Sequence, residues 1–297
     1  MSNSVNSGFF IVGTGRCGTT LFRNLLRYHP DVYVPRETHW LPILFHAYGL
    51  QKIRHTDFFR MLDSVYMAKG RTALERILLE EKLDAKEFRR SLAGRLSPSG
   101  RDTIAECMNA FYGLVAEPHG ASIWGDKTPD YGLCMTMLQT LWPDAKFVHI
   151  YRDGRDVAIS MKKVLSFRLL VAWGINHWYA VAYKKQYEQH ISNAHLDWPI
   201  EGFFELWKSR LTRIFDERDR LGKPCYMGIR YEELLKDPPE ILSGVSKFLG
   251  LPEKENWIDA AATSVRFSNV GKNQDSDDYV RLTKRYGDDL RNMGFLE

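Results

Sequence analysis

The residues best suited to chemistry lie at three points of the chain. The first is Gly13-Thr14-Gly15-Arg16-Cys17-Gly18-Thr19-Thr20, which follows the apolar run Phe9 to Val12. Leu21, Leu25 and Leu26 continue after it at helical spacing, with Phe22 on the buried side. Three glycines within six positions permit a tight turn and a close backbone approach. A helix that starts straight out of such a turn directs its unpaired N–H groups and its positive dipole end into the turn. That is an anion site, and a phosphate-like group is the natural occupant. Cys17 sits where a helix start lowers a thiol pKa, which makes it a candidate nucleophile. The second point is Arg152 with Ser160 eight residues later, a guanidinium fork and a hydroxyl that together suit a terminal phosphate. The third is Arg36-Glu37-Thr38-His39-Trp40, polar residues leaving a strand end, where open parallel sheets place their ligands.

Strands and helices must alternate to bring these points together. Phe9 to Val12, Val32 to Val34, Lys146 to Tyr151 and Lys223 to Ile229 are expected strands, and Ser122 to Tyr131 reads as a short strand running into a polar turn. Residues 41–116 read as a helical insertion, with apolar spacing over Asp57 to Ala68, Thr72 to Glu81, Asp84 to Leu96 and Thr103 to Val115. Aromatic-rich helices are expected over Val171 to His190 and Phe203 to Leu221. Another runs from Pro238 and Pro239 through Phe248, closed by Gly250. Ser264 to Asp278 is polar and irregular, with Gly271-Lys272-Asn273-Gln274 at its centre. No repeat or linker divides the chain, so a single α/β domain over 1–297 is expected, its central parallel β-sheet flanked by helices.

Composition narrows the function classes. A hydrophobic content of 44% and a charged content of 26% are those of an ordinary globular protein. The net charge of +4, with Lys and Arg scattered among Asp and Glu, fits a small polyanionic ligand and gives no nucleic-acid signature. Cys17, Cys107, Cys134 and Cys225 stand far apart without zinc spacing, so they are expected reduced and mostly interior. Met1 to Gly8 is polar and free of Lys and Arg, unlike a signal peptide, and no apolar run approaches the ~20 residues of a membrane span. A cytoplasmic location is the expectation.

The glycine-rich stretch alone leaves its anion open. Gly13-x-Gly15-x-x-Gly18, with Glu37 further on, satisfies a dinucleotide fingerprint. Gly13-x4-Gly18 matches the frame of a nucleoside-triphosphate P-loop, but Thr19 stands where that motif needs its lysine, which argues against a kinase or hydrolase. A non-catalytic nucleotide-binding module is a further alternative.

A third pattern accounts for more of the chain. Arg16-Cys17-Gly18-Thr19-Thr20, Asp126-Lys127-Thr128-Pro129, Arg152-Asp153-Gly154-Arg155-Asp156-Val157-Ala158-Ile159-Ser160 and Tyr231-Glu232-Glu233-Leu234 stand in that order. In this the chain resembles sulfotransferases that use 3′-phosphoadenosine-5′-phosphosulfate (PAPS), whose fold is a P-loop-type three-layer α/β structure. The resemblance implies transfer of a sulfuryl group to a hydroxyl or amine, with 3′,5′-adenosine diphosphate (PAP) leaving and no metal site required. Cys17, Gly18, Thr19 and Thr20 would hold the 5′-phosphosulfate, and Arg16 would stabilise charge on the leaving oxygen. Lys127 would contact the sulfuryl group, and Arg152 and Ser160 the 3′-phosphate. Tyr231 would touch the adenine, and Gly271 and Lys272 would close over the 3′-phosphate. Small-molecule branches use a histidine after the Lys-Thr pair, and here Pro129 stands there instead. Carbohydrate and tyrosylprotein branches use a glutamate whose place Glu37 takes, so Glu37 is the expected general base and His39 the second candidate. The implied partner is an acceptor substrate: a carbohydrate, a glycolipid or a protein tyrosine.

Overall fold

The computed structural model describes residues 8–65, 70–173, 198–221, 224–254, 256–266 and 271–297. In chain order the strands are β1 (Phe9–Gly13), β2 (Val32–Tyr33), β3 (Ile53–Arg54), β4 (Arg101–Asp102), β5 (Ile123–Lys127), β6 (Lys146–Tyr151) and β7 (Tyr226–Arg230). Five of them form a parallel sheet in the order β2-β5-β1-β6-β7. β1 lies in its middle and is buried at every position, as a parallel strand covered on both faces must be. Its side chains alternate between the two layers. Phe10 and Val12 join one apolar cluster, and Phe9 and Ile11 another. On the first side Phe10 stacks on Phe147 with ring centroids 5.6 Å apart and meets Trp124 edge-on at 5.9 Å.

That first layer is built from α2 (Leu41–Tyr48), α3 (His55–Leu62), α4 (Ala73–Glu80), α5 (Ala85–Arg95), α6 (Ile104–Ala116) and α7 (Met135–Leu141); α1 (Thr19–Leu26) belongs to the opposite face. The starts of α4 and α6 are set by capping boxes, Thr72 with Glu75 and Thr103 with Glu106, and Asp84 caps α5. α4, α5 and α6 form where apolar spacing places them, whereas α3 stops at Leu62 and Asp63 to Val65, inside the stretch expected to be helical, are not helix. The stretch 41–116 is not helical throughout, however: β3 and β4 pair antiparallel. Two residues per strand carry no period that sequence could reveal. The pairing is closed by Asp102, which accepts from the Ser97 N–H at 2.8 Å and lies 2.9 Å from His55 Nε2.

α8 (Gly154–Lys162), α9 (Leu165–Trp173) and α10 (Ile200–Arg220) pack in a third cluster around Trp207 and Phe203. α11 (Tyr231–Lys236), α12 (Pro238–Leu249) and α13 (Trp257–Thr263) join α1, while α14 (Asp277–Arg285) and α15 (Gly287–Asn292) cover α8 and α10. The result is the three-layer α/β arrangement expected from the strand–helix alternation. The helix expected over Val171 to His190 lies mostly outside the described residues, as does part of Ser264 to Asp278. Among the described residues no helix is long and apolar enough to cross a membrane.

One buried group in the sheet makes stability depend on pH. His149 of β6 is fully buried, with Nδ1 2.6 Å from the Tyr226 hydroxyl. Burial, and then the Arg218 charge, push its pKa down from 6.5 to about 3. Between those values the unfolded chain binds the proton and the folded one does not, so stability is lost as pH falls below 6.5. At pH 5 the expected loss through His149 is about 2 kcal/mol. Thermal melts at pH 7 and pH 5 check this: His149→Gln should show a smaller drop in Tm than the wild type.

Candidate functional site

All five strands of the parallel sheet deliver site residues from their carboxyl ends, the edge where such sheets bind ligands. After β1 the chain turns through Gly15, Arg16 and Gly18 at φ 84°, 57° and 105°. Successive left-handed residues ahead of a helix form a concavity lined with backbone N–H groups. The first turn of α1 has neither a side-chain cap nor an acidic residue to occupy those groups. At Gly15 a Cβ would stand 2.7 Å from the Phe167 ring, so the turn also needs the missing side chain. Thr19 is buried and Thr20 exposed at the helix start. Cys17 does not follow the expectation of an activated thiol. It is buried in the cluster behind the turn, and that burial raises its pKa more than the loop hydrogen bonds lower it.

Beside the turn, Lys127 at the end of β5 joins two of the predicted groups. Its Nζ donates to Glu37 Oε1 at 2.6 Å and to Thr20 Oγ1 at 3.4 Å. His39 Nε2 lies 3.6 Å from Glu37 Oε2. Burial alone would raise the Glu37 carboxyl, but the Lys127 ammonium and His39 outweigh it and hold the group well below the usual carboxylate range. The Glu37 side chain is 28% exposed and that of His39 only 4%.

What holds Glu37 and Lys127 together lies one layer below. Asp126, fully buried, accepts hydrogen bonds from Tyr112 at 2.5 Å, Thr38 at 2.7 Å and Thr128 at 2.7 Å. The Thr38 N–H donates to Thr128 Oγ1 at 3.1 Å, and the Leu41 N–H to the Tyr131 hydroxyl at 3.3 Å. Burial pushes the Asp126 pKa up against these donors. This buried network ties the stretch after β2 to the end of β5, so the residues on either side, Glu37 and Lys127, must meet.

The second half of the site lies across the turn. Arg16 Nε donates to Ser160 Oγ at 3.0 Å. Arg152, at the end of β6, donates to Asp156 Oδ2 at 2.9 Å, and its guanidinium carbon sits 4.6 Å from the centroid of the Tyr231 ring. The Tyr231 ring in turn closes on Gly18 and is 5% exposed. Asn273 donates to Asp156 Oδ1 at 2.7 Å, which brings the Gly271-Lys272 segment to the same corner, with Lys272 exposed. Arg155 belongs to the same run but points away. It is bound to Asp153 and to Thr283 Oγ1 at 3.0 Å, and it anchors the C-terminal helices.

The structure therefore sets Glu37, His39 and Lys127 beside the Thr19-Thr20 start of α1, and Ser160 beside Arg16 of the turn, with Arg152, Tyr231, Gly271 and Lys272 at the corner next to Gly18; the Cys17 side chain faces the core instead. Sequence reading missed Thr38, Tyr112 and Tyr131, which hold the base side, and Asp130 with Arg210 behind His39. It also missed Arg76 of α4. Burial lowers that guanidinium's pKa, and the Glu37 and Arg36 charges act on it in opposite directions.

Comparisons with known proteins bear on the family and the fold. Residues 8–255 match the model of the sulfotransferase family. The chain is 25% identical over 166 residues to nodulation protein NoeE of Sinorhizobium fredii, covering 56% of this chain and 32% of that protein. It is 23% identical over 255 residues to protein-tyrosine sulfotransferase 1 of Danio rerio, covering 84% of this chain and 54% of that protein. The chain thus spans no more than about half the length of these curated relatives. Among solved structures, the sulfotransferase domain from the curacin biosynthetic pathway superposes with a TM-score of 0.58 at 20% identity, over 95% of this chain and 98% of that one. The likeness to it is one of fold. With the family pattern matched over most of its length, the chain belongs to the sulfotransferase family.

Proposed function

We propose that this chain moves a sulfuryl group from PAPS to an acceptor hydroxyl, with Glu37 as general base. The observation that carries the reading is the Lys127 ammonium, shared between the Glu37 carboxylate and the Thr20 hydroxyl of the anion-binding turn. A carboxylate, an ammonium and the hydroxyl of a glycine-rich turn thus lie side by side, which supports the reading. PAPS, when bound, supplies the activated sulfuryl group. The backbone N–H groups of the turn and the Thr19 and Thr20 hydroxyls hold its 5′-phosphosulfate end. Arg152 and Ser160 hold the 3′-phosphate, with Tyr231 steering the Arg152 fork and Lys272 adding a further charge at that corner.

Glu37, more exposed than His39, is the group an acceptor can reach. Its low pKa keeps it ionised at neutral pH, and it becomes a stronger base when Lys127 turns from it toward the developing charge. Relatives named as protein-tyrosine sulfotransferases support a tyrosyl acceptor, and a carbohydrate or glycolipid hydroxyl would meet the same base.

Calorimetric titration with PAP and with ADP, without added divalent cation, tests the donor. PAP should bind tightly and ADP far more weakly. Arg152→Ala should cost about 1.5–3 kcal/mol of PAP affinity, roughly 10- to 150-fold, and leave ADP binding nearly unchanged. Equal affinity for ADP and PAP in the wild type would mean that Arg152 and Ser160 do not recognise a 3′-phosphate and would overturn PAPS as the donor.

A further inference from the structure

Asp156 stands where an anion site has least use for a carboxylate. It lies in the first turn of α8, four residues after Arg152, and is 6% exposed. Its two oxygens are divided between the two sides of the corner that Arg152 and Lys272 share. Oδ2 accepts from Arg152 at 2.9 Å, and Oδ1 accepts from the Asn273 side-chain amide at 2.7 Å. The Gln274 N–H donates to the Gly271 carbonyl at 3.1 Å, closing a turn with Lys272 and Asn273 at its two central positions. The Ser276 N–H donates to the Asn273 carbonyl at 3.0 Å, and Ser276 caps α14 by accepting the Tyr279 N–H at 3.3 Å. α14 is itself held on α8, where Arg155 donates to Thr283 Oγ1 at 3.0 Å. The turn is thus fastened to α14 at one end and to Asp156 at its tip, with Lys272 exposed beside that tip.

A carboxylate beside a bound phosphate repels it, so Asp156 costs affinity if charge is all it contributes. Geometry supplies the offsetting gain. Arginine and lysine lose rotamer freedom when they are immobilised on a ligand, and a side chain or turn already held in place loses less. One buried carboxylate holds the Arg152 fork and the turn that carries Lys272 at the same time. An acid in the first turn of a helix also complements the helix dipole, but that role needs no bond to Asn273.

We propose that Asp156 and Asn273 are positioning residues that set Arg152 and Lys272 as the two arms of one clamp on the 3′-phosphate. This rests on the reading of PAPS as donor. Both bonds of Asp156 are made within the protein alone, so the arms are arranged before a nucleotide arrives. The two arms are then coupled through Asp156. Releasing the turn by removing the Asn273 amide weakens the contribution of Lys272, a residue whose own side chain is unchanged. ADP lacks a 3′-phosphate and is blind to the clamp, which separates positioning from a general loss of structure.

Calorimetric titration with PAP and with ADP at one salt concentration tests this in Asp156→Asn and Asn273→Ala, with thermal melts to confirm folding. Each variant should lose about 10-fold in PAP affinity and stay within about twofold of wild type for ADP. Repulsion alone predicts the opposite sign for Asp156→Asn, a tighter complex with PAP. Lys272→Ala should cost about 10-fold in the wild-type background and only about twofold in the Asn273→Ala background, because an arm no longer aimed has little left to lose. Asp156→Asn changes a buried position and can fail to fold. Asn273→Ala alters a half-exposed turn and carries the test alone in that case. PAP binding of wild-type strength or tighter in either folded variant overturns the inference. So does an equal loss for PAP and ADP, or additive losses for Lys272→Ala and Asn273→Ala. Failure of the donor reading looks different: the wild-type protein would bind PAP no more tightly than ADP.

Discussion

Replacing Glu37 by Gln is expected to lower kcat by about 10²–10⁴-fold while PAP affinity stays within about twofold of wild type. The substitution keeps the size of the side chain and an oxygen able to accept from Lys127, which donates to Oε1 at 2.6 Å. What it removes is the ability to take a proton. Among the described residues Glu37 reaches the anion-binding turn through Lys127, which also donates to Thr20, so binding of the bisphosphate should not register the change. The pH profile supplies an independent check. The Lys127 ammonium and His39 together hold the Glu37 carboxyl well below its ordinary range in spite of burial. The base is therefore ionised across neutrality, and the acid limb of kcat lies far below pH 7. Lys127→Met removes the ammonium charge, the strongest single influence that lowers the carboxyl, so the Glu37 pKa climbs and the acid limb moves up toward neutrality, on top of a fall in kcat. Steady-state rates from pH 5 to 9 for the wild type and both variants decide the matter. A Glu37→Gln enzyme as fast as wild type would remove the carboxylate from the mechanism. An acid limb unmoved in Lys127→Met would mean that the ammonium does not set the base.

Much of this site was legible in the sequence because each part is local. A strand running into a glycine-rich turn and a helix is a continuous pattern, and Arg152 and Ser160 are tied by a fixed helical spacing. The arrangement behind them depends on contacts between distant segments. Asp126 collects hydroxyls from Thr38 and Tyr112 as well as from neighbouring Thr128, and nothing in the local pattern marks those two as its partners. Arg210 looks like one polar position on an aromatic-rich amphipathic helix, yet it is buried against Asp130. Arg152 and Arg155, three positions apart, have opposite fates. One borders the site, and the other is consumed by Asp153 and the C-terminal helices. Cys17 shows the converse limit. A helix start predicts a lowered thiol pKa, but the side chain points into the core, where desolvation dominates.

Gly18→Ala is expected to reduce PAP affinity by roughly 10²–10³-fold, the largest effect anticipated from any substitution on the nucleotide side. Two costs combine at this position. Gly18 has φ 105°, which an alanine adopts only under strain, and its carbonyl accepts the Phe22 N–H at 3.1 Å to open α1. A Cβ there would also lie 2.3 Å from Cδ2 and 2.6 Å from Cε2 of Tyr231, so the ring has to move. Those atoms belong to a buried side chain at the first position of α11, not to the loose end of a flexible one. Moving the ring disturbs Arg152, which stacks on it at 4.6 Å, so the substitution reaches both the 5′ and the 3′ ends of the nucleotide site. A double-mutant cycle with Tyr231→Ala separates the two costs. If the clash dominates, Gly18→Ala should weaken binding much less when Tyr231 is already truncated. If the turn itself dominates, the two losses should add. Calorimetry with PAP, together with thermal melts to confirm folding, reads both. PAP binding of wild-type strength in Gly18→Ala would mean that the glycine turn does not cradle the nucleotide.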